Sequence, residues 1–232
     1  MMPLISVLIP LYNNRQYIDE AIRSVLAQTY RNFEIIVVDD GSTDGGDQVA
    51  AGYSEVRLFR KEHSGISRTR NFALSRAQGD LITFLDADDL WDPEKLSLQV
   101  KYMMEHPECS IVFCRFRNFT DIPGELRTDR QEELLRTEFS TYLPGACIRK
   151  ELFDRFGVFS ESCAFGEDTE WEARLRLARI DLSHCIEKDL YFRRVHERNI
   201  TLTHPDMDES ARYAIMAQAI RKKWRNKKNA DQ

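Results

Sequence analysis

Residues 33–46 read Phe-Glu-Ile-Ile-Val-Val-Asp-Asp-Gly-Ser-Thr-Asp-Gly-Gly. The β-branched run from Phe33 to Val38 predicts a strand that is covered on both faces, as strands of a parallel sheet are. Two aspartates and the glycine-rich turn Gly41 to Gly46 end this strand, since glycine and aspartate favour turns. A strand, a polar turn and a segment of helical period together form the unit from which α/β folds are built.

The same alternation of strands and helices extends in both directions from this strand. Upstream, Leu4 to Ile9 predicts a strand, and it precedes a helix with one apolar face that Asn13 or Asn14 could cap. Downstream, the predicted elements are a short helix after Gly46, a strand near Val56 to Phe59, a helix through Arg68 to Arg76, a strand from Leu81 to Leu85 and a helix that starts at Asp92-Pro93-Glu94 and ends near Glu105. The first hundred residues therefore predict an α/β fold with a mostly parallel central sheet flanked by helices.

From Ser110 onward the pattern changes to separated strands. The predicted elements are strands at Ile111 to Arg117 and Ala146 to Arg149, a polar stretch from Thr120 to Glu138 between them, and helices at Thr169 to Ala178 and Asp208 to Trp224. This second half predicts mixed strand directions.

The composition argues against several classes of protein. With 42% apolar and 31% charged residues the chain can bury a core, and its formal charge of −5 argues against a nucleic-acid partner, because phosphate binding needs a basic face. The 5 cysteines contain no C-x-x-C pair, so neither a disulfide framework nor a zinc knuckle is indicated and a reducing, cytoplasmic location is expected. No window approaches the roughly 18 apolar residues that a membrane-spanning helix needs.

Three carboxylate-rich turns follow predicted strands or begin a predicted helix: Asp39-Asp40, Asp86-Ala87-Asp88-Asp89 and Glu167-Asp168. Ligands of open α/β sheets bind outside the carboxyl ends of the strands, so the first two turns are expected on the same edge of the sheet. If the extended conformation continues past Leu85, Asp86 and Asp88 point to the same side. Such a pair fits Mg²⁺ or Mn²⁺, which one or two carboxylates and a diphosphate commonly hold. The alternative is that Asp88 or Asp89 caps a turn.

Four ordered motifs carry a resemblance to a known family. They are Ser6-Val7-Leu8-Ile9-Pro10-Leu11-Tyr12-Asn13, then Val37-Val38-Asp39-Asp40-Gly41-Ser42-Thr43-Asp44, then Arg70-Asn71, and then Phe84-Leu85-Asp86-Ala87-Asp88-Asp89. In order and spacing the chain resembles the inverting family 2 glycosyltransferases of GT-A fold, and Gly166-Glu167-Asp168 and the segment from Tyr191 to His196 resemble later motifs of that family. The resemblance implies a single GT-A domain over residues 1–232, with a Rossmann-like nucleotide-sugar-binding half at about 1–105, an acceptor and catalytic half at about 106–205 and a basic C-terminal helix at about 206–232.

The resemblance also implies roles for residues of the donor site. Pro10, Tyr12 and Asn13 would form the floor under the nucleoside, and Asp39 would accept a hydrogen bond from the base, which makes a UDP-sugar the first choice and leaves guanosine and thymidine donors open. The Asp86-Ala87-Asp88 motif would contact the ribose through Asp86 and the metal through Asp88, and Arg70 would lie near the donor phosphates or base. From the residues alone, Asp39 could instead form an Asx-type turn, Tyr12 could be a core aromatic, and Arg70 could be a solvated helix residue.

The resemblance places the catalytic base at Asp168. An acceptor hydroxyl attacks the anomeric carbon well only as its proton is removed, and a carboxylate can remove it. On local grounds, Asp168 or Thr169 could equally be the N-cap of the helix that follows. On the leaving-group side, Arg193, Arg194 and His196 are the candidates to stabilise the diphosphate, with His196 as a further ligand of Mn²⁺ or Mg²⁺. The family implies inversion of the anomeric configuration.

Two rival functions share this architecture. A nucleotidyltransferase or a dehydrogenase is disfavoured, because neither G-x-x-x-x-G-K-[ST] nor G-x-G-x-x-G is present. A non-catalytic binding or scaffold member of the family is the other alternative, although the four carboxylates Asp39, Asp86, Asp88 and Asp168 favour an enzyme. The expected partners are a nucleotide-sugar donor and a saccharide or lipid-linked saccharide acceptor. The helix from Asp208 to Trp224 and its basic end could associate with the inner face of an anionic membrane, or could simply pack on the domain.

Overall fold

Four strands from the first half of the chain form the parallel part of the central sheet. In the computed structural model, which describes residues 2–136, 143–162 and 166–199, these strands are β1 (Ile5–Leu11), β2 (Phe33–Asp39), β3 (Val56–Arg60) and β4 (Leu81–Phe84). β1 lies between β2 and β4, because Ile5 pairs in parallel with Phe33 on one side and with Leu81 on the other. β3 extends the sheet beyond β2. The predicted parallel α/β sheet is confirmed.

Four further strands extend this sheet with mixed directions. They are β5 (Leu90–Trp91), β6 (Ile111–Phe119), β7 (Cys147–Arg149) and β8 (Cys185–Arg194), and the order across the sheet is β3-β2-β1-β4-β7-β6-β8-β5. β7 runs antiparallel to both β4 and β6, β8 runs parallel to β6, and β5 runs antiparallel to β8. The prediction of mixed strands in the second half is confirmed, whereas β5 and β8 are absent from the sequence-based prediction.

Helices cover both faces of the sheet. They are α1 (Arg15–Leu26), α2 (Gly46–Ala51), α3 (Ile66–Arg76), α4 (Lys95–Glu105), α5 (Asp129–Leu135), α6 (Glu151–Phe156) and α7 (Glu167–Leu177). Successive side chains of β2 belong to different apolar clusters: Ile35 packs in the cluster that contains Ile22 of α1, and Ile36 packs in the cluster that contains Trp171 of α7. Because both faces of the strand are buried, β2 is apolar at consecutive positions rather than at alternate ones.

Six of the described strands end at the same edge of the sheet, which we call the carboxyl edge. β1 to β4 are parallel to one another, and β6 and β8 share their direction because β7 is antiparallel to both β4 and β6. The last residues of these strands are Leu11, Asp39, Arg60, Phe84, Phe119 and Arg194. Since ligands of open α/β sheets bind at this edge, its loops are the candidate site.

Two predicted helix starts need correction. Asn14 occupies the N-cap position of α1, but no side-chain cap hydrogen bond is made there; the backbone N–H of Arg15 instead donates to Oδ2 of Asp44 at 2.8 Å. The cap therefore comes from the loop after β2, which sequence spacing cannot show. α4 begins at Lys95 rather than at Pro93, and Asp92 accepts the backbone N–H of Glu94 at 2.9 Å just before it.

The C-terminal basic helix lies outside the described residues. The segment predicted as a helix from Asp208 to Trp224 and the basic run that ends it belong to residues 200–232, so peripheral membrane association stays a prediction. Within the described ranges, no helix combines the length and the apolar character that crossing a membrane requires. The division of the chain into a donor half and an acceptor half also stays a prediction.

One lysine side chain is fully buried in the core. Lys95, at the start of α4, has no solvent-exposed surface, and its ammonium group donates to Oγ1 of Thr83 at 3.1 Å and to Oε1 of Gln99 at 2.9 Å. The ammonium also lies 4.1 Å from the ring centroid of Trp91. Within the described part of the chain no carboxylate pairs with it, and burial lowers the pKa of Lys95 below its ordinary value.

Replacing Lys95 by methionine is therefore expected to stabilise the protein at pH 7, by about 1 kcal/mol or more, because the cost of burying an unpaired ammonium disappears. A lysine whose pKa is lowered on folding binds fewer protons in the native state, so the unfolding free energy of the wild type should rise with pH towards 10. Thermal denaturation at pH 7 and pH 9.5 measures both effects. Lys101→Met, at an exposed position of the same helix, is the control and should change neither; a less stable Lys95→Met protein would contradict the argument.

Candidate active site

Asp40 fastens the end of β2 to the beginning of α3. Its carboxylate accepts the backbone N–H groups of Ser64 at 3.0 Å and Gly65 at 2.9 Å and pairs with the ammonium of Lys61. Burial alone would raise the pKa of Asp40, but the hydrogen bonds from Lys61, Gly65 and Ser64 outweigh it and hold the pKa below its ordinary value. These contacts tie the end of β2 to the residues that precede α3.

Asp39 differs from its neighbour in having most of its hydrogen-bonding capacity left. The side chain is buried, with 4% of the residue exposed, and Oδ1 accepts the backbone N–H of Ser42 at 3.2 Å. This contact reaches three residues along the chain, one more than in an Asx turn, so it is a related local turn contact rather than the Asx turn itself, and it occupies one oxygen only. Gly41 is required in this turn because its φ is +78° and because a Cβ atom there would lie 2.9 Å from the backbone nitrogen of His63.

Tyr12 and Asn13 extend this loop region at the end of β1. Tyr12 is 45% exposed, so the alternative that it is a core aromatic is wrong. Its ring stacks on His63 with centroids 4.1 Å apart. Asn13 has a positive φ of 50°, donates its backbone N–H to Oγ of Ser42 and accepts the backbone N–H of Thr43, each at 2.9 Å. Pro10 is buried within β1. These contacts bring the predicted nucleoside-binding residues to one place on the carboxyl edge.

Arg70 links two carboxylate clusters that are distant in the sequence. Its guanidinium lies 2.6 Å from Oε1 of Glu167 and 3.0 Å from Oδ1 of Asp86, and the residue is 5% exposed. The alternative that Arg70 is a solvated helix residue is therefore wrong. Burial raises the pKa of Glu167 above its ordinary value, and Arg70 acts in the opposite direction. The observed contacts of Arg70 hold the start of α7 against the loop after β4.

Asp168 lies in the first turn of α7 rather than before it. The N-cap is Gly166, with a left-handed φ of 71°, so the alternative that Asp168 or Thr169 is the N-cap is wrong. Oδ1 of Asp168 accepts the backbone N–H of Thr169 at 2.7 Å, and the side chain is only partly buried. Asp168 is therefore accessible to solvent. It directly follows Glu167, which pairs with Arg70.

Residues Asp86 to Asp89 form a tight turn, which we call the acidic turn. The backbone N–H of Asp89 donates to the carbonyl oxygen of Asp86 at 3.0 Å, so the expectation that the extended conformation continues past Leu85 is wrong. Asp86 and Asp88 consequently have different partners, Arg70 for the first and His196 for the second. Oδ2 of Asp88 lies 2.9 Å from Nε2 of His196. Ala87, which lies between them in the sequence, is buried.

The end of β8 supplies the groups opposite the acidic turn. Arg194 is 3% exposed, and its guanidinium donates to the backbone oxygen of Asp88 at 3.0 Å and pairs with Glu20 and Asp121. Each guanidinium nitrogen thus has a protein acceptor, which does not favour the predicted phosphate contact for this side chain. Arg193 is half-buried and pairs in register with Asn118 of β6. His196 is buried against the ring of Tyr17, with centroids 4.9 Å apart.

Two residues at this edge, Tyr191 and Asp89, belong to motifs of the sequence but were assigned no role in the site. Tyr191 lies within β8, and its hydroxyl group donates to Oδ2 of Asp89 at 2.7 Å. Burial and the neighbouring carboxylates Asp88 and Asp86 raise the pKa of Asp89 well above its ordinary value. An acidic residue directly after a D-x-D motif is the one available signal in the sequence, but its partner is about a hundred residues away.

Sequence comparison relates the chain to glycosyltransferases. The sequence model of the family described as Glycosyl transferase family 2 matches residues 6–165. An uncharacterized glycosyltransferase of Rickettsia typhi is 32% identical over 216 residues, which cover 87% of this chain and 67% of that protein. The putative teichuronic acid biosynthesis glycosyltransferase TuaG of Bacillus subtilis is 42% identical over 116 residues, which cover 48% of this chain and 46% of TuaG. The matched part is therefore less than half of TuaG.

Solved structures share the fold. Residues 1–349 of S. aureus TarS in complex with UDP superpose with a TM-score of 0.67 at 24% identity, covering 93% of this chain and 70% of that one. The mannosyltransferase PcManGT from Pyrobaculum calidifontis, in complex with GDP-Man and Mn²⁺, superposes with a TM-score of 0.70 at 23% identity, covering 95% of this chain and 65% of that one. The predicted GT-A type fold is confirmed.

Proposed function

Because the chain belongs to glycosyl transferase family 2 and is therefore a glycosyltransferase, we propose that it transfers a sugar from a nucleotide-sugar donor, in the first place a UDP-sugar, to a hydroxyl group of a saccharide or lipid-linked saccharide acceptor. The observation that carries this proposal is the arrangement at the carboxyl edge: Asp88 faces His196 there, and Arg70 holds the loop of Asp86 against the start of the helix that bears Asp168.

Asp39 supports the choice of a uridine donor. One oxygen of this buried carboxylate is occupied by the backbone N–H of Ser42, which leaves the other for a single N–H donor on the base. Uracil presents one such ring N–H, as thymine does, whereas guanine presents an N–H and an adjacent amino group that a carboxylate binds best with both oxygens. The ring of Tyr12 is 45% exposed although it stacks on His63, so it is available to stack on the base as well, and Pro10 and Asn13 would form the floor beside it.

A divalent metal, Mn²⁺ or Mg²⁺, fits Asp88 and His196. Among the residues that the structure describes, no group of three or more His, Cys, Asp or Glu side chains could hold an ion. Two convergent protein ligands suit an ion that takes its remaining ligands from a diphosphate and water. Such an ion would supply positive charge that stabilises the departing diphosphate. Arg193 stays a candidate for the same task, whereas the contacts of Arg194 favour a role in holding the acidic turn.

Asp168 is the proposed general base. In the attack on the anomeric carbon, the acceptor oxygen loses its proton to the carboxylate as the new glycosidic bond forms and the bond to the diphosphate breaks. Attack opposite the leaving group inverts the anomeric configuration. Burial within the first turn of α7 is incomplete, which leaves Asp168 room to meet an acceptor.

The test is a thermal-shift screen of UDP, GDP and dTDP, each with and without Mn²⁺, on the wild type and on Asp88→Ala. A ligand that binds only the folded state raises its stability, so UDP with Mn²⁺ at a hundredfold excess over its Kd is expected to raise the Tm by about 5–10 °C. Asp88→Ala should lose the Mn²⁺-dependent part of this rise and keep the smaller, metal-independent part that the base contacts contribute.

The matched control is Asp154→Ala, which removes an exposed carboxylate on α6, next to the carboxyl end of the antiparallel strand β7. It should respond to UDP and Mn²⁺ as the wild type does. If no diphosphate stabilises the folded wild type, the proposed donor site is wrong. If Asp88→Ala retains the full Mn²⁺ effect, the metal is held elsewhere.

A further inference from the structure

The chain leaves the central sheet at Leu85, before it reaches the Asp86 and Asp88 side chains of the acidic turn. The last backbone hydrogen bond to the neighbouring strand is donated by Leu85 to the carbonyl oxygen of Leu8, at 3.0 Å. From Asp86 onward the chain has left the ladder between β4 and β1. Hence β4 cannot by itself fix the directions of the Asp86 and Asp88 side chains, and other contacts must do so.

The hydroxyl group of Tyr191 touches both ends of the acidic turn. It donates to Oδ2 of Asp89 at 2.7 Å and lies 3.3 Å from the backbone N–H of Asp86, which donates to it. Tyr191 has no exposed surface. Since a phenylalanine would fill the same space, the hydroxyl group is the part of this side chain that the turn uses.

Asp89 and Arg194 complete the attachment. Oδ1 of Asp89 accepts the backbone N–H of Arg194 at 2.7 Å, and Nε of Arg194 donates to the backbone oxygen of Asp88 at 3.0 Å. Asp89 is 2% exposed, and a buried carboxylate is tolerated only where hydrogen bonds compensate its lost hydration. The acidic turn is thus held at its first, third and fourth residues by β8.

β8 also leads directly to His196. Immediately after the acidic turn, β5 pairs with β8 in antiparallel register, with Leu90 opposite Phe192 and Trp91 opposite Tyr191. The two segments that carry Asp88 and His196 therefore extend from one strand pair. Any displacement of the acidic turn relative to β8 changes the separation of these two side chains.

We propose that Tyr191 and Asp89 are positioning residues that hold the acidic turn so that Asp88 and His196 converge on the metal and diphosphate. This inference rests on the proposed function. Neither residue touches the donor: the hydroxyl group of Tyr191 and the carboxylate of Asp89 act through the backbone and through the directions of the neighbouring side chains. Groups that orient metal ligands in this way typically change metal affinity by about 10–100-fold when they are removed.

The test is Tyr191→Phe, which keeps the buried ring and removes only the hydroxyl group. Mn²⁺ binding in the presence of saturating UDP is measured by electron paramagnetic resonance of the free ion, and UDP binding without metal by calorimetry. Mn²⁺ affinity is expected to fall by about tenfold or more, whereas metal-free UDP affinity should stay within about twofold of the wild type. A role confined to stability would leave both affinities of the folded protein unchanged.

Tyr102→Phe is the matched control, because it removes a hydroxyl group that is hydrogen-bonded at 3.0 Å to His184, outside the carboxyl edge. It should change neither affinity. Asp89→Asn is the second variant, used also if Tyr191→Phe does not fold, and should weaken Mn²⁺ binding similarly.

Unchanged Mn²⁺ affinity in folded Tyr191→Phe and Asp89→Asn, with the wild type binding normally, overturns the positioning role. Equal weakening of metal-free UDP binding overturns it as well, because the effect would then reach beyond the metal. A wild type that does not bind Mn²⁺ with UDP would instead overturn the proposed metal site, and this inference with it.

Discussion

Replacing Asp168 by asparagine is expected to lower the kcat of sugar transfer by about 10²–10⁴-fold, the range that loss of a general base typically produces. The amide keeps the size of the carboxylate but cannot take the proton of the acceptor hydroxyl. The side chain is partly exposed, and its hydrogen bond from Thr169 can be retained by the amide oxygen, so the fold should be preserved. UDP release from the donor, measured with the acceptor that the wild type uses, gives the rate.

Donor binding separates this role from a structural one. Because no donor contact is assigned to Asp168, the affinity of Asp168→Asn for UDP with Mn²⁺ should lie within about twofold of the wild-type value, so that the loss appears in kcat and not in donor binding. Asp154→Asn, at an exposed position of α6, should retain the full rate. A rate near the wild-type value for Asp168→Asn would show that another group removes the proton.

Replacing Arg70 by methionine is expected to lower the unfolding free energy by about 3–5 kcal/mol, because removing one partner leaves the buried carboxylate of Glu167 uncompensated. Arg70 and Glu167 are each about 5% exposed and lie 2.6 Å apart, and Asp86 shares the same guanidinium at 3.0 Å. Arg68→Met is the matched control on the same helix. Its ion pair with Glu161 is more than half exposed on both sides, so its loss should cost at most about 1 kcal/mol. Chemical denaturation measures both values.

The loss in Arg70→Met should depend on pH in a defined direction. The pKa of Glu167 is already raised by burial, and without Arg70 it should rise further. A carboxyl group with a raised native pKa binds more protons when folded, so its contribution to stability is complete below the unfolded pKa and is lost as the pH rises through the native pKa. The difference between variant and wild type should therefore shrink from pH 8 to pH 5. A loss below 1 kcal/mol at pH 7, or one that grows on acidification, would contradict a buried ion network.

The parallel sheet is predictable because its signals are local. The run from Phe33 to Val38 is apolar at consecutive positions since helices cover both faces of β2, and the aspartate and glycine residues after it mark the turn where the strand ends. Strand direction then places Asp39 and the acidic turn on one edge. Each βαβ unit returns the chain to the same edge of the sheet, so the strand register does not have to be read from the sequence to place these two turns together.

β5 and β8 could not be predicted, because neither has such a local signal. β5 has two residues, and the first half of β8 is polar and partly exposed, so neither shows a strand pattern along the sequence. Their conformation is fixed by pairing with each other and with β6. The partners of Arg70, Asp89 and His196 are about 16 to 108 residues away in sequence, and none of these contacts leaves a periodic or spacing signal.

The sequence by itself determined the α/β class, the family, and the types of side chain at the carboxyl edge, because these follow from local periodicity, turn chemistry and the order of short motifs. The tertiary structure alone decided which of those side chains face each other. In the structure the extended conformation ends at Leu85, Asp86 pairs with Arg70 and Asp88 pairs with His196. Asp168 lies in the first turn of α7. Such pairings depend on where separate strands end in space and on which buried charges must be compensated, and these are properties of the packed chain rather than of any segment.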